Sequence, residues 1–210
     1  MSGIDPGTLV VCIDFKQPRA YLAHRATREL EAELGCDFEW QPFLVAPPKP
    51  PPAPQSDEDR GTMHRRLRAE YNARDVERYA RRLGLPLEDP YRDSDSTAAA
   101  LGLLWCNARS AELARQYVDR VFARRWGGSL ELSNSRAIGA LLAELGAAEG
   151  WDGYVEERGP AALEQTRERL TEAGVFDVPT YLYGGEVFQG RQHLPMLRWL
   201  LTDRQGEPPL

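Results

Sequence analysis

Two α/β segments lie at opposite ends of the sequence, and their order limits the folds that this 210-residue chain can adopt. The first segment has a short apolar run at 9–13, followed by a helix that begins at Pro18 and is closed by Gly35. Residues 36–40 then alternate in polarity as a second strand. A strand–helix–strand unit with such short connections predicts parallel neighbouring strands and a right-handed crossover. The first part of the fold is therefore predicted to be a β-α-β unit.

The last third of the sequence supplies the other α/β segment. A strand predicted over 177–183 is followed by Gly184 and Gly185, a pair that is typical of a two-residue hairpin turn. Residues 186–188 are therefore predicted to run back antiparallel to that strand. A helix over 192–201 follows, so the second part of the fold has the order β-β-α.

Between these segments the sequence has few strand patterns. Residues 46–59 are rich in proline, which removes backbone donors and fixes φ, so an extended loop is predicted there. We interpret this loop as a connector, with a lid or a partner-binding segment as alternatives. Apolar residues then recur at helical spacing. The sequence predicts an α/β domain made of 1–45 and 158–210, with an all-helical insertion over 60–157.

Composition argues against several classes of partner. The chain has 26 basic and 32 acidic side chains, with a formal net charge of −6 and no large basic cluster. We therefore expect no nucleic acid and no anionic membrane as the main partner, although local charges could still hold a small anion. Residues 1–8 carry no positive charge, and the apolar run after them is too short for a signal peptide or a membrane span. A cytoplasmic location is expected.

The cysteines and histidines do not form a recognisable metal or disulfide pattern. The cysteines lack the C-x-x-C spacing and lie in apolar stretches, which indicates buried, inert thiols at Cys12, Cys36 and Cys106. The three histidines show no spacing that is typical of metal ligands. We therefore predict no metal site.

Four motifs, in this order along the chain, resemble those of a known family. D-F-K-Q-P-R-A-Y-L-A at 14–23 is similar to D-F-x-S-P-x-A-Y-L-A, and R-L-G-L-P at 82–86 ends a helix as it does in the family. G-V-F-D-V-P-T at 174–180 resembles G-V-F-G-V-P-[TS], and F-Q-G-R-Q-H-L-P at 188–195 resembles F-x-G-x-[DE]-x-L-P. The chain thus resembles the 2-hydroxychromene-2-carboxylate isomerase and kappa-class glutathione transferase family. The resemblance implies an α/β thioredoxin-like fold of the DsbA type (β-α-β, ββα) with an all-helical insertion.

The resemblance also implies where a ligand would bind. In such folds the peptide bond before the proline that opens the third strand is usually cis, and the residue before it presents its backbone to the active site. Val178 and Pro179 match these two positions. A glutathione-like peptide would pair with that backbone as an added strand. The alternative is an ordinary trans proline at the start of a strand.

The start of the first helix is expected to face the same place, where its free N–H groups and positive dipole end favour a thiolate. The family carries a serine or a redox cysteine there, whereas this chain has Gln17, followed by Pro18. The Gln17 amide can donate a hydrogen bond to sulfur but cannot form a disulfide, so we expect no thiol–disulfide oxidoreductase activity. We assign the catalytic position to Gln17. Lys16 or Arg19 would add positive charge nearby, unless these are solvated surface residues.

Three more residues are candidates for ligand binding. Arg191 and Gln192 stand where the family tends to carry an acidic residue that pairs with the ammonium group of glutathione. Gln192 offers a hydrogen bond without the charge, and Arg191 would attract a carboxylate instead. Arg68 lies near the position of a ligand-binding lysine in the family, although a solvated helix face is the alternative.

Two hypotheses about function follow. In the first, which we favour, the protein is a glutathione-dependent isomerase or transferase that acts on a small, conjugated, aromatic-derived substrate. The resemblance implies that the thiolate adds reversibly to an electron-poor carbon and so allows bond rotation. It also implies a homodimer. In the alternative, suggested by Gln17 and Gln192, the protein is a catalytically degenerate thioredoxin-fold binding module without redox activity.

Overall fold

A four-stranded mixed sheet forms the centre of the protein. The computed structural model describes residues 4–54, 56–92 and 94–209. Its strands are β1 (Val10–Ile13), β2 (Glu39–Pro42), β3 (Thr180–Tyr183) and β4 (Glu186–Gln189). They lie in the order β2-β1-β3-β4, with β1 parallel to β2 and antiparallel to β3, and with β3 antiparallel to β4. The predicted β-α-β and β-β-α parts are confirmed.

Helices surround this sheet and fill the middle of the chain. The α-helices are α1 (Pro18–Leu34), α2 (Arg60–Leu83), α3 (Thr97–Asn107), α4 (Ala111–Trp126), α5 (Ser135–Glu144), α6 (Trp151–Gly153), α7 (Gly159–Glu172) and α8 (Leu194–Leu201). A π-helical turn joins α6 to α7, and a 3-10 turn precedes α8. Within the described ranges no strand lies between β2 and β3. The all-helical insertion is therefore confirmed, while the exact domain boundaries stay predictions. None of these helices has the length and apolar character of a membrane span.

The central strand β1 is buried on both faces of the sheet. Successive side chains of a strand point to opposite faces. Val11 and Ile13 join a large cluster that includes side chains of α1, α3, α4 and α8. Val10 and Cys12 join a second cluster with Leu170 of α7. Helices thus cover both faces, which explains why the sequence of β1 is apolar at every position.

Helix α1 begins and ends at the predicted residues. Gln17 is its N-cap residue with an extended backbone, and Pro18 is its first helical residue. Gly35 closes the helix at φ +61°, where its N–H donates to the carbonyl of Glu31. A residue with a side chain would rarely adopt this φ. Since β1 ends at Ile13 and α1 begins at Pro18, the start of α1 lies just beyond the carboxyl end of β1.

The second strand begins later than the alternating pattern predicts. The backbone N–H of Phe38 donates to the side chain of Glu31 (2.9 Å), and the N–H of Cys36 donates to the carbonyl of the same residue (3.3 Å). The indole N–H of Trp40 also donates to the Glu31 carboxylate (3.3 Å). Glu31 accepts the backbone N–H groups of Cys36 and Phe38, so these groups do not pair with a strand. The segment before Glu39 therefore connects α1 to β2 without joining the sheet.

The helical insertion packs directly on α1 and the end of β1. The ring of Phe15 contacts those of Tyr117 and Phe122, with centroids 6.0 Å and 5.0 Å away. Tyr21 of α1 stacks on Trp126 of α4 at 5.4 Å and an interplanar angle of 12°. Such aromatic contacts strengthen a core beyond the burial of their area. The insertion and the sheet therefore share one buried cluster.

The proline-rich segment runs from the end of β2 to the start of α2. Its described residues between 46 and 59 form neither helix nor strand, which agrees with the predicted extended loop. Asp59 ends the segment as the N-cap of α2, because its side chain accepts the N–H groups of Gly61 (2.7 Å) and Thr62 (2.9 Å). The loop is thus anchored where α2 begins.

Candidate functional site

A hollow of about 440 Å³ lies where α1 begins. Gln17 and Pro18 line one part of it, and the proline-rich residues 45–49 line another. The face of α2 and the segment just before β3, with Phe176 and Asp177, complete its wall. The first predicted piece of the site is therefore part of a concave surface.

A second hollow of about 510 Å³ contains the other predicted piece. Val178 and Pro179 line it, together with Arg191, Gln192 and a neighbouring face of α2. The peptide bond between Val178 and Pro179 is cis. Four of the residues singled out in the sequence thus share one wall.

The two hollows adjoin and are here called the cleft. Arg19, Asn72 and Val76 line both of them. Asp177 lines the first hollow, and the next residue, Val178, lines the second. The structure therefore brings the start of α1 and the proline-led strand to neighbouring parts of one surface.

Gln17 is held by the proline-rich loop. Its side-chain nitrogen donates to the carbonyl of Ala46 at 2.6 Å, and it makes no capping bond to α1. A glutamine amide carries two N–H donors on one nitrogen. The bond to Ala46 therefore orients the amide and leaves a second hydrogen on the same nitrogen.

Lys16 lies outside the cleft, which differs from its predicted place beside a thiolate. Its side chain is buried, with 5% of the residue exposed, and its ammonium group pairs with Asp14 and donates to the hydroxyl of Ser96 at 3.0 Å. This burial also excludes the alternative, in which Lys16 is a solvated surface residue. The physical reason is that Asp14, two residues earlier, is a buried carboxylate that needs a counter-charge.

The carboxylate of Asp14 connects three parts of the chain. Besides the ammonium group of Lys16, it accepts the hydroxyl of Ser96 (2.6 Å) and the backbone N–H of Val45 (3.0 Å). It also accepts the backbone N–H of Lys16 (3.2 Å). The network ties the start of α1 to the start of the proline-rich loop and of α3. Asp14 thereby positions the loop carbonyl that holds Gln17.

The side chain of Asp177 accepts a hydrogen bond from the backbone N–H that was expected to bind a ligand. The N–H of Val178 donates to one carboxylate oxygen of Asp177 at 2.8 Å. The side-chain amide of Gln189 donates to the other oxygen at 3.2 Å. Asp177 is not among the predicted site residues, although the family motif G-V-F-G-V-P-[TS] has glycine at this position and so marks the difference.

Arg191 and Gln192 both line the second hollow, but each also has a partner within the chain. The Arg191 guanidinium lies over the ring of Tyr79, 3.7 Å from its centroid, and 3.6 Å from a carboxylate oxygen of Asp75. The Gln192 amide donates to the carbonyl of Gln189 at 2.7 Å. Arg191 is therefore held as a cation against α2, where it could meet a carboxylate.

Arg68 is exposed and is not among the residues that line the cleft. The next residue in the sequence, Ala69, does line the first hollow. The solvated helix face considered for Arg68 fits this position better than a ligand-binding role.

Aromatic side chains are a feature of the cleft that the sequence analysis largely missed. Phe176, which is 69% exposed, lines the first hollow with Tyr91, and Tyr71, which is 61% exposed, lines the second. Burial, followed by the nearby charge of Glu77, raises the pKa of Tyr91, so its hydroxyl stays neutral. These rings give the cleft surfaces on which a flat molecule could stack.

The cysteines are poorly placed for redox chemistry. None of them lines the cleft. Burial raises the pKa of the Cys12 and Cys106 thiols to about 12, and burial also raises the pKa of Cys36. In the part of the chain that the structure describes, no group of three or more His, Cys, Asp and Glu residues could hold a metal ion.

We expect the native protein to react slowly with Ellman's reagent at pH 8. The thiolate is the reacting form, and a raised pKa leaves little of it at this pH. Cys12 and Cys106 should stay unmodified until the chain is unfolded by guanidinium chloride, while the partly exposed Cys36 reacts slowly. Rapid modification of two or more thiols in the folded protein would contradict these buried positions.

Another hollow, of about 640 Å³, lies on the α7 side of the sheet. It is lined by Ile4, Thr8, the end of α7 and the hairpin between β3 and β4. It includes none of the residues that the sequence predicted for catalysis or ligand binding. Its size alone does not connect it to chemistry, so the cleft, which contains the predicted site residues, is the better candidate.

Comparison with known proteins agrees with this architecture. The sequence pattern of the DSBA-like thioredoxin domain family matches residues 8–202. The chain is 27% identical over 190 residues to 2-hydroxychromene-2-carboxylate isomerase from Pseudomonas putida, which covers 88% of this chain and 89% of that protein.

Solved structures of two related proteins share the fold. A structure of 2-hydroxychromene-2-carboxylate isomerase superposes with a TM-score of 0.71 at 20% identity, covering 93% of this chain and 95% of the other. The cytosolic disulfide reductase DsbM from Pseudomonas aeruginosa gives 0.64 at 19% identity, covering 94% and 98%, and its structure with GSH matches equally. At these identities the likeness establishes the fold.

Proposed function

Because the chain belongs to the DSBA-like thioredoxin domain family, we propose that it is a glutathione-dependent isomerase or transferase. Its substrate would be a small, conjugated, aromatic-derived molecule. The observation that carries this proposal is the cleft, in which the start of α1 and the segment Val178–Pro179 line adjoining hollows. Hollows of about 440 and 510 Å³ are of the size that holds small organic ligands.

The polar groups of the cleft match the chemistry of glutathione in part. Glutathione has a thiol and two carboxylates, and the cleft has Arg19 and Arg191 in its wall. The N-terminus of the 17-residue helix α1 favours negative charge. The second hydrogen of the Gln17 amide is directed by the bond to Ala46 and could be donated to sulfur. These groups would bind and orient the ligand.

The aromatic wall supports the proposed substrate class. Phe176 and Tyr91 in the first hollow, and Tyr71 in the second, would stack on a flat conjugated molecule beside the start of α1. Bound glutathione would supply a thiolate that adds reversibly to an electron-poor carbon. Arg19, which lines both hollows, would stabilise a carboxylate or a developing oxyanion of the substrate.

A disulfide reductase, the activity named for DsbM, fits this chain less well. Such chemistry needs a reactive cysteine in the cleft, and Cys12, Cys36 and Cys106 all lie elsewhere with raised pKa values. The second candidate is instead a binding module without redox activity. The bond between Asp177 and the N–H of Val178 favours it, because that donor is already used.

Calorimetry with reduced glutathione tests the proposal on the wild type, on Gln17→Ser and on Gln165→Ser. Gln165 is an exposed residue of α7 away from the cleft, so its variant is a matched control. We expect saturable heat with the wild type and the control, and a dissociation constant for Gln17→Ser that is about fivefold lower, because the hydroxyl that the family carries here would replace the amide as the donor to sulfur, an exchange of about 1 kcal/mol.

Each result of this titration separates the candidates. Heat only with Gln17→Ser would support a binding module that has lost the family activity. No heat with any of the three proteins would contradict glutathione as the cofactor.

A further inference from the structure

Asp177 lies at the junction of the two hollows, and both of its carboxylate oxygens accept hydrogen bonds. Its carboxylate accepts the N–H of Val178 (2.8 Å) and the side-chain amide of Gln189 (3.2 Å). Its backbone carbonyl accepts the hydroxyl of Thr180 at 2.6 Å. Asp177 is only partly exposed. The side chain is therefore fixed across the backbone of the residue that precedes Pro179.

The partners of Asp177 are themselves positioned by the sheet. Gln189 is the last residue of β4 and pairs with Thr180 of β3. Its carbonyl accepts the side-chain amide of Gln192 at 2.7 Å, and the next N–H, of Gly190, donates to Pro179 at 2.8 Å. The amide that holds Asp177 thus comes from a rigid element. This favours a defined position of the carboxylate over a freely moving one.

We infer that Asp177 determines the specificity of the cleft by competing with the ligand for the N–H of Val178. A peptide-like ligand that adds to the chain at this point needs a backbone donor, and Asp177 must first release it. The carboxylate also places a negative charge where a ligand thiolate or carboxylate would approach. This inference rests on the proposed function, because glutathione is the ligand for which the competition matters.

Two substitutions separate the hydrogen bond from the charge. Asp177→Ala removes the acceptor, whereas Asp177→Asn removes the charge but keeps a carbonyl oxygen that can accept the N–H of Val178; the Gln189 side chain must then turn its amide oxygen toward the new NH2 group. We expect Asp177→Ala to bind reduced glutathione about tenfold more tightly than the wild type, the value of one released hydrogen bond. Asp177→Asn should change the affinity by less than about threefold. Asp152→Ala, at an exposed position in α6, is the matched control and should bind as the wild type does.

Hydrogen exchange of the Val178 amide supplies a readout that does not depend on the ligand. We expect this exchange to be at least about tenfold faster in Asp177→Ala and nearly unchanged in Asp177→Asn. If Asp177→Ala exchanges and binds as the wild type does, the inference is wrong, and the proposed function stands as long as both proteins bind glutathione. If only Asp177→Ala binds, the inference holds and the wild type does not use glutathione. If neither binds, both are wrong.

Discussion

Asp14→Ala is expected to lower the free energy of unfolding by about 3–5 kcal/mol, the usual effect of removing one partner of a buried ion pair. The substitution leaves the ammonium group of Lys16 buried without its counter-charge. The hydroxyl of Ser96 and the N–H of Val45 lose their acceptor at the same time. Urea unfolding followed by tryptophan fluorescence measures the loss.

Two comparisons make this result specific. Asp37→Ala removes a carboxylate whose side chain is 69% exposed and paired with Arg115, and it should cost less than about 1 kcal/mol. Asp14→Leu combined with Lys16→Met removes the unpaired charge and should recover that part of the lost stability, but not the part due to the N–H of Val45, which still lacks its acceptor. Asp14→Ala within about 1 kcal/mol of the wild type would contradict a role for the buried pair.

The same network connects stability to the site. Asp14 holds the N–H of Val45, and the next residue, Ala46, supplies the carbonyl that holds Gln17. Loss of the carboxylate is therefore expected to loosen the loop and the Gln17 amide together. A partially destabilised Asp14→Asn protein should bind glutathione more weakly even under conditions in which it stays folded.

Gly102→Ala is expected to destabilise the protein by about 3 kcal/mol. A Cβ at Gly102 would lie 2.1 Å from the hydroxyl oxygen of Tyr117 and 3.0 Å from a methyl carbon of Ile138. Tyr117 is fully buried and its hydroxyl donates to the carbonyl of Ala99 at 2.8 Å, so it cannot move without losing that bond. Overpacking and a lost buried hydrogen bond each cost roughly 1–3 kcal/mol. Thermal unfolding by circular dichroism measures the change.

Gly153→Ala is the matched control for this prediction. Gly153 has helical φ and ψ of −64° and −34°, and nothing lies within 4 Å of an added Cβ. Alanine there restricts the unfolded chain and should stabilise the protein by about 0.4–1 kcal/mol. Equal melting temperatures for Gly102→Ala and Gly153→Ala would contradict the close packing of α3 against Tyr117.

The elements that sequence predicts well are those with local signals. Pro18 and Gly35 mark the ends of α1 because the ring of one and the positive φ of the other act within the helix itself. Gly184 and Gly185 mark the hairpin for the same reason, with φ of +64° and +79°. The proximity of the start of α1 to Val178–Pro179 could also be predicted, because the resemblance implies that both segments face one site.

The details of the site depend on contacts between distant residues, which local patterns do not show. Lys16 stands next to Gln17 in the sequence, but a buried carboxylate and Ser96, 80 residues away, decide where its charge lies. Similarly, the start of β2 is set by the reach of the Glu31 side chain. Asp177 is an intermediate case, because the motif showed the substitution but only the structure shows which N–H it takes.

Chemical-shift mapping of the amide groups during a titration with reduced glutathione tests most directly whether the cleft binds a thiol tripeptide. We expect saturable shifts that concentrate at Gln17, Val178, Arg191 and Gln192. No shifts at saturating ligand would contradict it. Shifts confined to the separate hollow between α7 and the β3–β4 hairpin would contradict it as well.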